Sequence, residues 1–182
     1  MELLQDRREL IFALQIILQK IPVLKKVIEI GTFKGGSLRL WQTIAAPDAI
    51  LVGVDSHDFT QGIFSYDKNV FLIFGRSDSP GVITKVKNII GIDADLLFID
   101  GEHTYEVVKS DYVNYGSLIR PGGLIMFHDT QSSARSPRSA PYGCKVKQFW
   151  RELIDMNVVK EYFEFCTNAN QAQQMGTGIV VK

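Results

Sequence analysis

The sequence has no excess of charge of either sign, since its 182 residues include 20 Lys or Arg and 20 Asp or Glu and the formal net charge is zero at pH 7. This balance gives no general affinity for nucleic acid or for an anionic membrane surface. Cysteine is equally scarce, and Cys144 and Cys166 form neither a Cys-x-x-Cys pair nor a zinc-ligand spacing. Such cysteine usage favours a reduced, intracellular protein. We therefore expect a cytoplasmic protein without nucleic-acid or membrane partners.

Long apolar runs are also missing, and none is long enough to span a bilayer. Residues 1–6 are charged early and lack the order of a secretory signal peptide. Neither an internal repeat nor a linker is visible, and a chain of this length can build one full hydrophobic core. The sequence therefore predicts a single domain over residues 1–182, with residues 1–21 as its N-terminal helical segment.

Short apolar runs alternate with segments of helical periodicity along the chain. The helices are predicted over 2–20, 37–46, 80–90, 105–119 and 145–156, and the strands over 27–30, 50–55, 70–74, 96–100 and 124–127, with a terminal hairpin of 158–165 and 178–181. This alternation indicates a doubly wound, Rossmann-like α/β domain with a mostly parallel sheet and helices on both faces. Ligands bind such sheets beyond the carboxyl ends of the strands.

The most informative segment covers residues 29–37, where an acidic strand end, a glycine turn and a helix start follow one another. Gly31 and Gly35 can adopt backbone angles that other residues resist, and they let a ligand approach the backbone closely. The helix N-terminus behind them attracts a carboxylate or a phosphate. Glu29 adds a negative charge that favours a ligand with an amine as well. The spacing is not Gly-x-Gly-x-x-Gly, which argues against a nicotinamide dinucleotide, and a plain strand-to-helix turn is the alternative.

Polar residues follow the next two predicted strands. Asp55 ends the second strand, where a carboxylate can accept both hydroxyls of a ribose; the alternative is a solvated residue that caps the following turn. Ser77 and Asp78 follow the third strand and could hydrogen-bond an adenine edge. Alternatively, they cap the helix that begins at Pro80.

Acidic and histidine side chains follow the fourth and fifth strands. Asp100 ends one strand, and the pair His128-Asp129 ends its neighbour. Asp100, His128 and Asp129 are therefore predicted to converge on one divalent cation, and their oxygens suit Mg²⁺ while the imidazole also admits Mn²⁺ or Fe²⁺. His103, three residues beyond Asp100, is a candidate general base for a metal-bound hydroxyl. The alternative is that the aspartates cap helices, His128 packs in the core and His103 lies on the surface.

Four segments together resemble the class I S-adenosylmethionine-dependent methyltransferases. They are Glu29-Ile-Gly-Thr-Phe-Lys-Gly-Gly-Ser37, Val52-Gly-Val-Asp55, Phe98-Ile-Asp-Gly-Glu-His-Thr-Tyr105 and Arg120-Pro-Gly-Gly-Leu-Ile-Met-Phe-His-Asp129. More narrowly, they are similar to the group that includes cephalosporin hydroxylase-like proteins and macrolide-sugar and rhamnosyl O-methyltransferases. The resemblance runs from about residue 27 to about residue 150, which is most of the chain.

The resemblance implies a seven-stranded sheet whose last strand is antiparallel to the rest, and it implies cofactor-binding positions. The methionine part of S-adenosylmethionine would lie at the glycine turn, the ribose at Asp55 and the adenine near Ser77 or Asp78. Asp100 would hold both cofactor and Mg²⁺, and His103 would be the base. The macrolide-sugar enzymes have an acidic residue where this chain has His128. The residues predicted to bind the cofactor are Glu29, Gly31, Thr32, Gly35, Ser37, Asp55, Ser77, Asp78 and Asp100.

The sequence therefore predicts a methyltransferase that methylates oxygen on a small hydroxylated acceptor, such as a sugar or secondary metabolite, with divalent-metal assistance. A metal-independent methyltransferase and a non-catalytic protein that binds S-adenosylmethionine or another nucleoside are the alternatives. Residues 130–143 form a long loop, predicted to fold over the acceptor, in which Arg135 and Arg138 could bind an anionic group. The acceptor's identity and the oligomeric state, monomer or homo-oligomer, stay open.

Overall fold

The computed structural model describes residues 5–65, 67–131, 144–167 and 175–182, in which helices alternate with the strands of a seven-stranded sheet. In chain order the elements are α1 (Arg7–Lys20), β1 (Lys26–Ile30), α2 (Gly36–Ile44), β2 (Ile50–Asp55), β3 (Val70–Phe74), α3 (Pro80–Ile90), β4 (Ala94–Ile99), α4 (Tyr105–Gly116), β5 (Ile119–His128), α5 (Val146–Asp155), β6 (Tyr162–Phe165) and β7 (Thr177–Val181). The predicted alternation of strands and helices is confirmed.

The strand order is β3-β2-β1-β4-β5-β7-β6. β7 pairs antiparallel with both β5 and β6, while the other pairings are parallel. The seven strands and the antiparallel β7 confirm the sheet that the family resemblance implied. β1 pairs with β2 on one side and β4 on the other, so that Ile30 lies beside both Val54 and Ile99. The carboxyl ends of β2, β1, β4 and β5 therefore meet at one edge of the sheet, which is where the predicted ligand site lies.

Apolar side chains cover both faces of the sheet. α3, α4 and α5 pack on one face through residues that include Val86, Val108 and Trp150, and α1 and α2 pack on the other face. The buried side of α1, with Leu10 and Ile17, belongs to this second core. Within the described residues, no helix combines the length and hydropathy that a membrane crossing requires.

Two element boundaries differ from the prediction for visible reasons. α1 begins at Arg7 because the Asp6 side chain accepts a hydrogen bond from the Arg8 amide at 2.8 Å and caps the helix. β5 begins at Ile119, five residues before the predicted start, and so includes Ile119 itself, predicted as the end of a helix, and the Pro-Gly-Gly segment expected to terminate that helix. The Arg120 Nε donates to Asp95 at 2.7 Å, and this pair holds the early part of β5 beside β4.

Candidate active site

The glycine turn packs directly against the end of β4. Gly31 has φ +90°, its amide donates to the Val54 carbonyl at 2.8 Å, and a Cβ there would lie 2.1 Å from the Asp100 carbonyl oxygen. Gly35 has φ +77°, and a Cβ there would lie 2.5 Å from the Phe64 ring. Both glycines are therefore required by the protein's own packing. Thr32 is buried beside them and its hydroxyl faces the Val54 carbonyl at 3.5 Å.

The N-terminus of α2 points out of this turn. Gly35 occupies the N-cap position in a left-handed conformation, and no side chain caps the helix. The first amides of a helix lack intrahelical acceptors and carry the positive end of its dipole. The first amides of α2 can therefore donate hydrogen bonds to a small ligand carboxylate. That carboxylate would take the place that the capping side chains of Asp6 and Ser79 occupy in α1 and α3.

Glu29 lies beneath the turn, between β1 and α2. It is fully buried, and its two carboxyl oxygens accept from Ser37 Oγ at 3.0 Å and Trp41 Nε1 at 2.7 Å. Burial raises the pKa of Glu29 to about 8 despite these donors. Burial thus works against the negative charge expected at the turn, and Glu29 and Ser37 link β1 to α2 by a hydrogen bond.

Asp55 joins the end of β2 to the glycine turn. Its Oδ2 accepts from the Phe33 amide at 2.7 Å, and its Oδ1 accepts from the His57 amide at 3.3 Å. Phe33 itself has φ +46°, so this hydrogen bond holds a strained turn residue. The Asp55 carboxylate remains half-exposed at the rim of the turn. A side chain that binds a ribose is expected at this position.

The β3–α3 connection places Ser77 and Asp78 at the same edge of the sheet. Arg76 holds the Asp78 carboxylate through Nε at 3.0 Å and Nη2 at 2.8 Å, and the Ser77 carbonyl accepts from the Tyr115 hydroxyl at 2.6 Å. The cap of α3 is Ser79, whose side chain accepts from the Val82 amide. Neither Ser77 nor Asp78 is therefore the cap that the alternative interpretation assigned to them.

Four ionisable side chains converge at the ends of β4 and β5. His128 Nδ1 lies 3.2 Å from Asp100 Oδ1 and 3.5 Å from Asp129 Oδ2. His103 Nε2 lies 3.3 Å from Asp129 Oδ2 and 3.6 Å from Asp100 Oδ1. The structure thus brings together every residue that the sequence predicted for metal binding and proton transfer. These contacts exclude a surface role for His103 and a purely apolar environment for His128.

The charges in this cluster stabilise one another. Burial alone would raise the pKa of Asp100, but His128 and His103 outweigh it and hold that pKa below its usual range. Burial alone would lower the pKa values of both histidines, but Asp100 and Asp129 hold them above their usual value.

The donor set of Asp100, His128 and Asp129 fits a divalent cation. Their potential ligand atoms lie within 4.8 Å of one another. Asp129 has φ +63°, which is unfavourable for most residues with a Cβ but comparatively well tolerated by Asp and Asn. The fold therefore holds its carboxylate in a specific place at a local cost. Two carboxylates and one imidazole could bind Mg²⁺ or Mn²⁺, or Fe²⁺.

Sequence reasoning missed two residues of this cluster. Gln5 Nε2 donates to Asp100 Oδ2 at 2.6 Å, so the segment before α1 reaches the site across 95 positions of sequence. Cys144 has its thiol within 4.8 Å of ligand atoms of His103 and Asp129. No local signal marks Gln5. For Cys144, the only indication in the sequence that it belongs to this cluster was its position at the end of the loop that follows Asp129.

The acceptor side is described in part. Residues 132–143, which include Arg135 and Arg138 and most of the predicted lid, lie outside the described residues. Gln131 lies just beyond the carboxyl end of β5, and its amide donates to the Met175 carbonyl at 2.9 Å. A cavity of about 410 Å³ lies where α4 and α5 begin and is lined by Thr104, Tyr105, Glu106, Lys145 and Gln148. Two of its lining residues, Thr104 and Lys145, directly follow His103 and Cys144 in the sequence.

Comparison with known proteins connects this site to an enzyme family. Residues 28–130, more than half of the chain, match the family described as Methyltransferase domain. An uncharacterized protein of Acanthamoeba polyphaga mimivirus is 32% identical over 123 residues, which cover 63% of this chain and 55% of that protein. Demethylmacrocin O-methyltransferase of Streptomyces fradiae is 27% identical over 111 residues, which cover 57% of this chain and 27% of that enzyme. The match thus spans about half or less of each relative.

Solved structures share the fold over nearly the whole chain. The O-methyltransferase from Bacillus cereus in complex with SAH superposes with a TM-score of 0.72 at 16% identity, covering 98% of this chain and 82% of that one. The MycE methyltransferase of mycinamycin biosynthesis, in complex with Mg, SAH and mycinamycin VI, superposes with a TM-score of 0.67 at 20% identity, covering 94% of this chain and 48% of that one. The strand order, the glycine turn and the family match agree, and this chain belongs to the methyltransferase-domain family, with the class I S-adenosylmethionine-dependent methyltransferase fold.

Proposed function

We propose that this protein transfers the methyl group of S-adenosylmethionine to a hydroxyl oxygen of a small molecule, with the assistance of a divalent cation. One observation carries the proposal: a base, two carboxylates and an imidazole converge at the ends of β4 and β5, in backbone contact with the glycine turn through Gly31 and Asp100. Donor and acceptor would therefore meet across that contact.

The residues around the glycine turn would hold the cofactor. The uncapped α2 N-terminus would bind the methionine carboxylate, with Gly31, Thr32 and Gly35 allowing close approach. Asp55 would accept the ribose hydroxyls, and Ser77 or Asp78 would hydrogen-bond the adenine. The bound sulfonium supplies an activated methyl group, so the protein's own task is mainly positioning.

The β4–β5 cluster would prepare the acceptor. Asp100, His128 and Asp129 would hold the cation, which when bound lowers the pKa of a coordinated hydroxyl. His103 Nε2 would receive the hydroxyl proton, and the nearby Asp129 and Asp100 carboxylates would stabilise the resulting imidazolium. The acceptor oxygen then bonds to the methyl carbon as the bond from carbon to sulfur breaks, leaving S-adenosylhomocysteine.

The acceptor is proposed to be a sugar or a secondary metabolite. Support comes from the names of two similar proteins: a demethylmacrocin O-methyltransferase and an enzyme solved with mycinamycin VI. The cavity at the start of α4 and α5 has a volume in the range of small-molecule pockets. We propose that residues 130–143 fold over this acceptor and that Arg135 and Arg138 bind an anionic group where the acceptor has one.

A second candidate is methyl transfer without a metal. Its support is that the imidazole and carboxylate groups already compensate one another at 3.2–3.6 Å. In that case Asp100 and Asp129 would only orient His103 and His128. Turnover that persists unchanged after exhaustive chelation would favour this candidate over the first.

The test begins with calorimetric titration of S-adenosylmethionine into the purified protein, with and without Mg²⁺, and with NAD⁺ as a control ligand. Binding of S-adenosylmethionine but not NAD⁺ is expected, followed by methyl transfer in a screen of hydroxylated acceptors. Absence of binding under both metal conditions would contradict the proposal. Tight binding with no transfer to any acceptor would instead support a non-catalytic binding protein.

A further inference from the structure

A second group of potential ligands lies beside the predicted cation position. His103, Asp129 and Cys144 place one ligand atom each within 4.8 Å of the other two. This set shares Asp129 with the first group but replaces Asp100 and His128 with a second imidazole and a thiol. Cys144 is only 5% exposed, so its sulfur belongs to the interior of the site rather than to the surface.

The backbone builds the thiol into this position. The chain leaves the site at Asp129, whose φ of +63° orients its carboxylate, and returns to it at Cys144. The Lys145 amide then donates to the His103 carbonyl at 2.8 Å, immediately before α5 begins at Val146. Cys144 and His103 are therefore fixed relative to each other by a main-chain hydrogen bond next to the thiol.

Sulfur changes which ions this group prefers. Thiolate, imidazole and carboxylate are the ligands of Zn²⁺ and of its spectroscopic substitute Co²⁺, whereas Mg²⁺ prefers oxygen ligands. Zinc bonds of about 2.0–2.3 Å put tetrahedral ligand atoms roughly 3–4 Å apart, so a contraction of about an ångström would close the group around an ion. Binding would release the thiol proton to solvent.

We propose that His103, Asp129 and Cys144 form a second cation position, which takes a thiophilic divalent ion such as Zn²⁺, and that filling this position inhibits the enzyme. The inhibition rests on the proposed function, because an imidazole that ligates a metal ion is no longer available to receive the acceptor's proton. The binding itself does not depend on that function. The two positions share the Asp129 carboxylate, so they compete for it.

Cobalt titration tests the binding directly. The purified, metal-free full chain is titrated with CoCl₂ while the near-ultraviolet and visible spectra are recorded. The expected result is a thiolate-to-cobalt charge-transfer band that saturates near one equivalent. Cys144→Ser should remove this band, whereas Cys166→Ser, the matched change at the chain's other cysteine, should keep it. Asp100→Asn should keep the band as well, because Asp100 supplies no ligand atom to this group, although its carboxylate lies 3.6 Å from His103 Nε2.

Two outcomes would overturn the proposed site: no charge-transfer band in the wild-type protein, or a band that persists in Cys144→Ser. His103→Gln provides a second variant, expected to weaken cobalt binding at least tenfold, should Cys144→Ser fail to fold. Circular dichroism of each variant checks folding. Because these measurements need no turnover, failure of the methyltransferase assay would count against the proposed function and not against the cation position.

The second part of the proposal, inhibition by the bound cation, is tested with Zn²⁺ once an acceptor is found. Zn²⁺ near one equivalent should lower wild-type turnover by tenfold or more, and excess Mg²⁺ should raise the Zn²⁺ concentration that this inhibition requires, because both positions use Asp129. In Cys144→Ser, inhibition should require at least ten times more Zn²⁺ than in Cys166→Ser. Equal sensitivity of the two variants, or undiminished wild-type turnover despite a saturated cobalt band, would overturn the inhibitory role.

Discussion

Two acidic side chains at the same edge of the sheet experience opposite environments. Glu29, near the end of β1, is fully buried among neutral donors, and burial raises its pKa to about 8. Asp100, just past β4, is 13% exposed, and His128 and His103 hold its pKa below the usual range. Burial alone therefore does not determine charge; the adjacent side chains do. In the proposed function, the turn after β1 is the scaffold that holds the cofactor, and the charged cluster at the ends of β4 and β5 is the reaction centre.

The two regions meet in close backbone contacts, among them the one between Gly31 and the carbonyl of Asp100. Breaking this contact is expected to have the largest effect. In Gly31→Ala a Cβ would have to fit where the Asp100 oxygen lies 2.1 Å away, at φ +90°. We expect a loss of about 4 kcal/mol or more in the free energy of unfolding, measured by urea denaturation. Gly81→Ala is the matched control, since its Cβ would meet nothing within 4 Å; equal losses in both variants would contradict the account.

Removing the base should affect the charged region alone. His103→Gln is expected to lower kcat by about 10²–10⁴-fold, the usual contribution of general acid–base catalysis. The dissociation constant for S-adenosylmethionine should stay at the wild-type value, since His103 lies on the acceptor side. His57→Gln, at the exposed histidine after β2, serves as control and should keep wild-type turnover. Parallel losses in binding and kcat would show that the two regions are not separable.

The pH dependence of stability should reveal Glu29. Its pKa is raised from 4.5 to about 8 on folding, so the folded protein binds the proton more tightly. The free energy of unfolding should therefore fall as pH rises from about 4.5 to about 8 and level off above, with an upper bound near 5 kcal/mol and an expected value of about 2 kcal/mol after relaxation.

Glu29→Gln keeps both contacts, because its amide can accept from Trp41 and donate to Ser37. This variant should lose the pH dependence contributed by Glu29 and exceed the wild-type stability at pH 9, but not at pH 4.5. Urea denaturation at both pH values measures the difference. Profiles that stay parallel across this range would show that Glu29 is ionised at neutral pH in the folded protein.

Local sequence patterns predicted most of the fold and part of the site. The glycine turn and the cluster of Asp100, His128 and Asp129 followed from where apolar strands end, because parallel strands bring their carboxyl ends together. The place of Gln5 in the site could not be predicted from local patterns, because its contact with Asp100 spans 95 positions of sequence. The raised pKa of Glu29 was equally hidden, since only the folded structure shows that this carboxyl group is fully buried.

The strand boundaries show the same limit. The Pro-Gly-Gly segment before residue 124 is expected to end the helix predicted over 105–119. In the fold it belongs to β5, because Asp95 holds Arg120 and the backbone of Lys182, which follows β7, hydrogen-bonds Gly122 and Gly123. Tertiary contacts thus overrode local propensity at an element end, while the buried centre of the strand was predicted correctly.

The most direct test of the division between scaffold and reaction centre is calorimetric titration of S-adenosylmethionine into Asp55→Ala and Asp129→Asn in parallel. Asn tolerates the left-handed backbone at position 129, so the second variant removes charge without adding strain. We predict that Asp55→Ala weakens binding at least tenfold, about 1.4 kcal/mol, whereas Asp129→Asn binds the cofactor as wild type does but no longer transfers the methyl group. Equal weakening in both variants, or wild-type affinity in Asp55→Ala, would contradict the account.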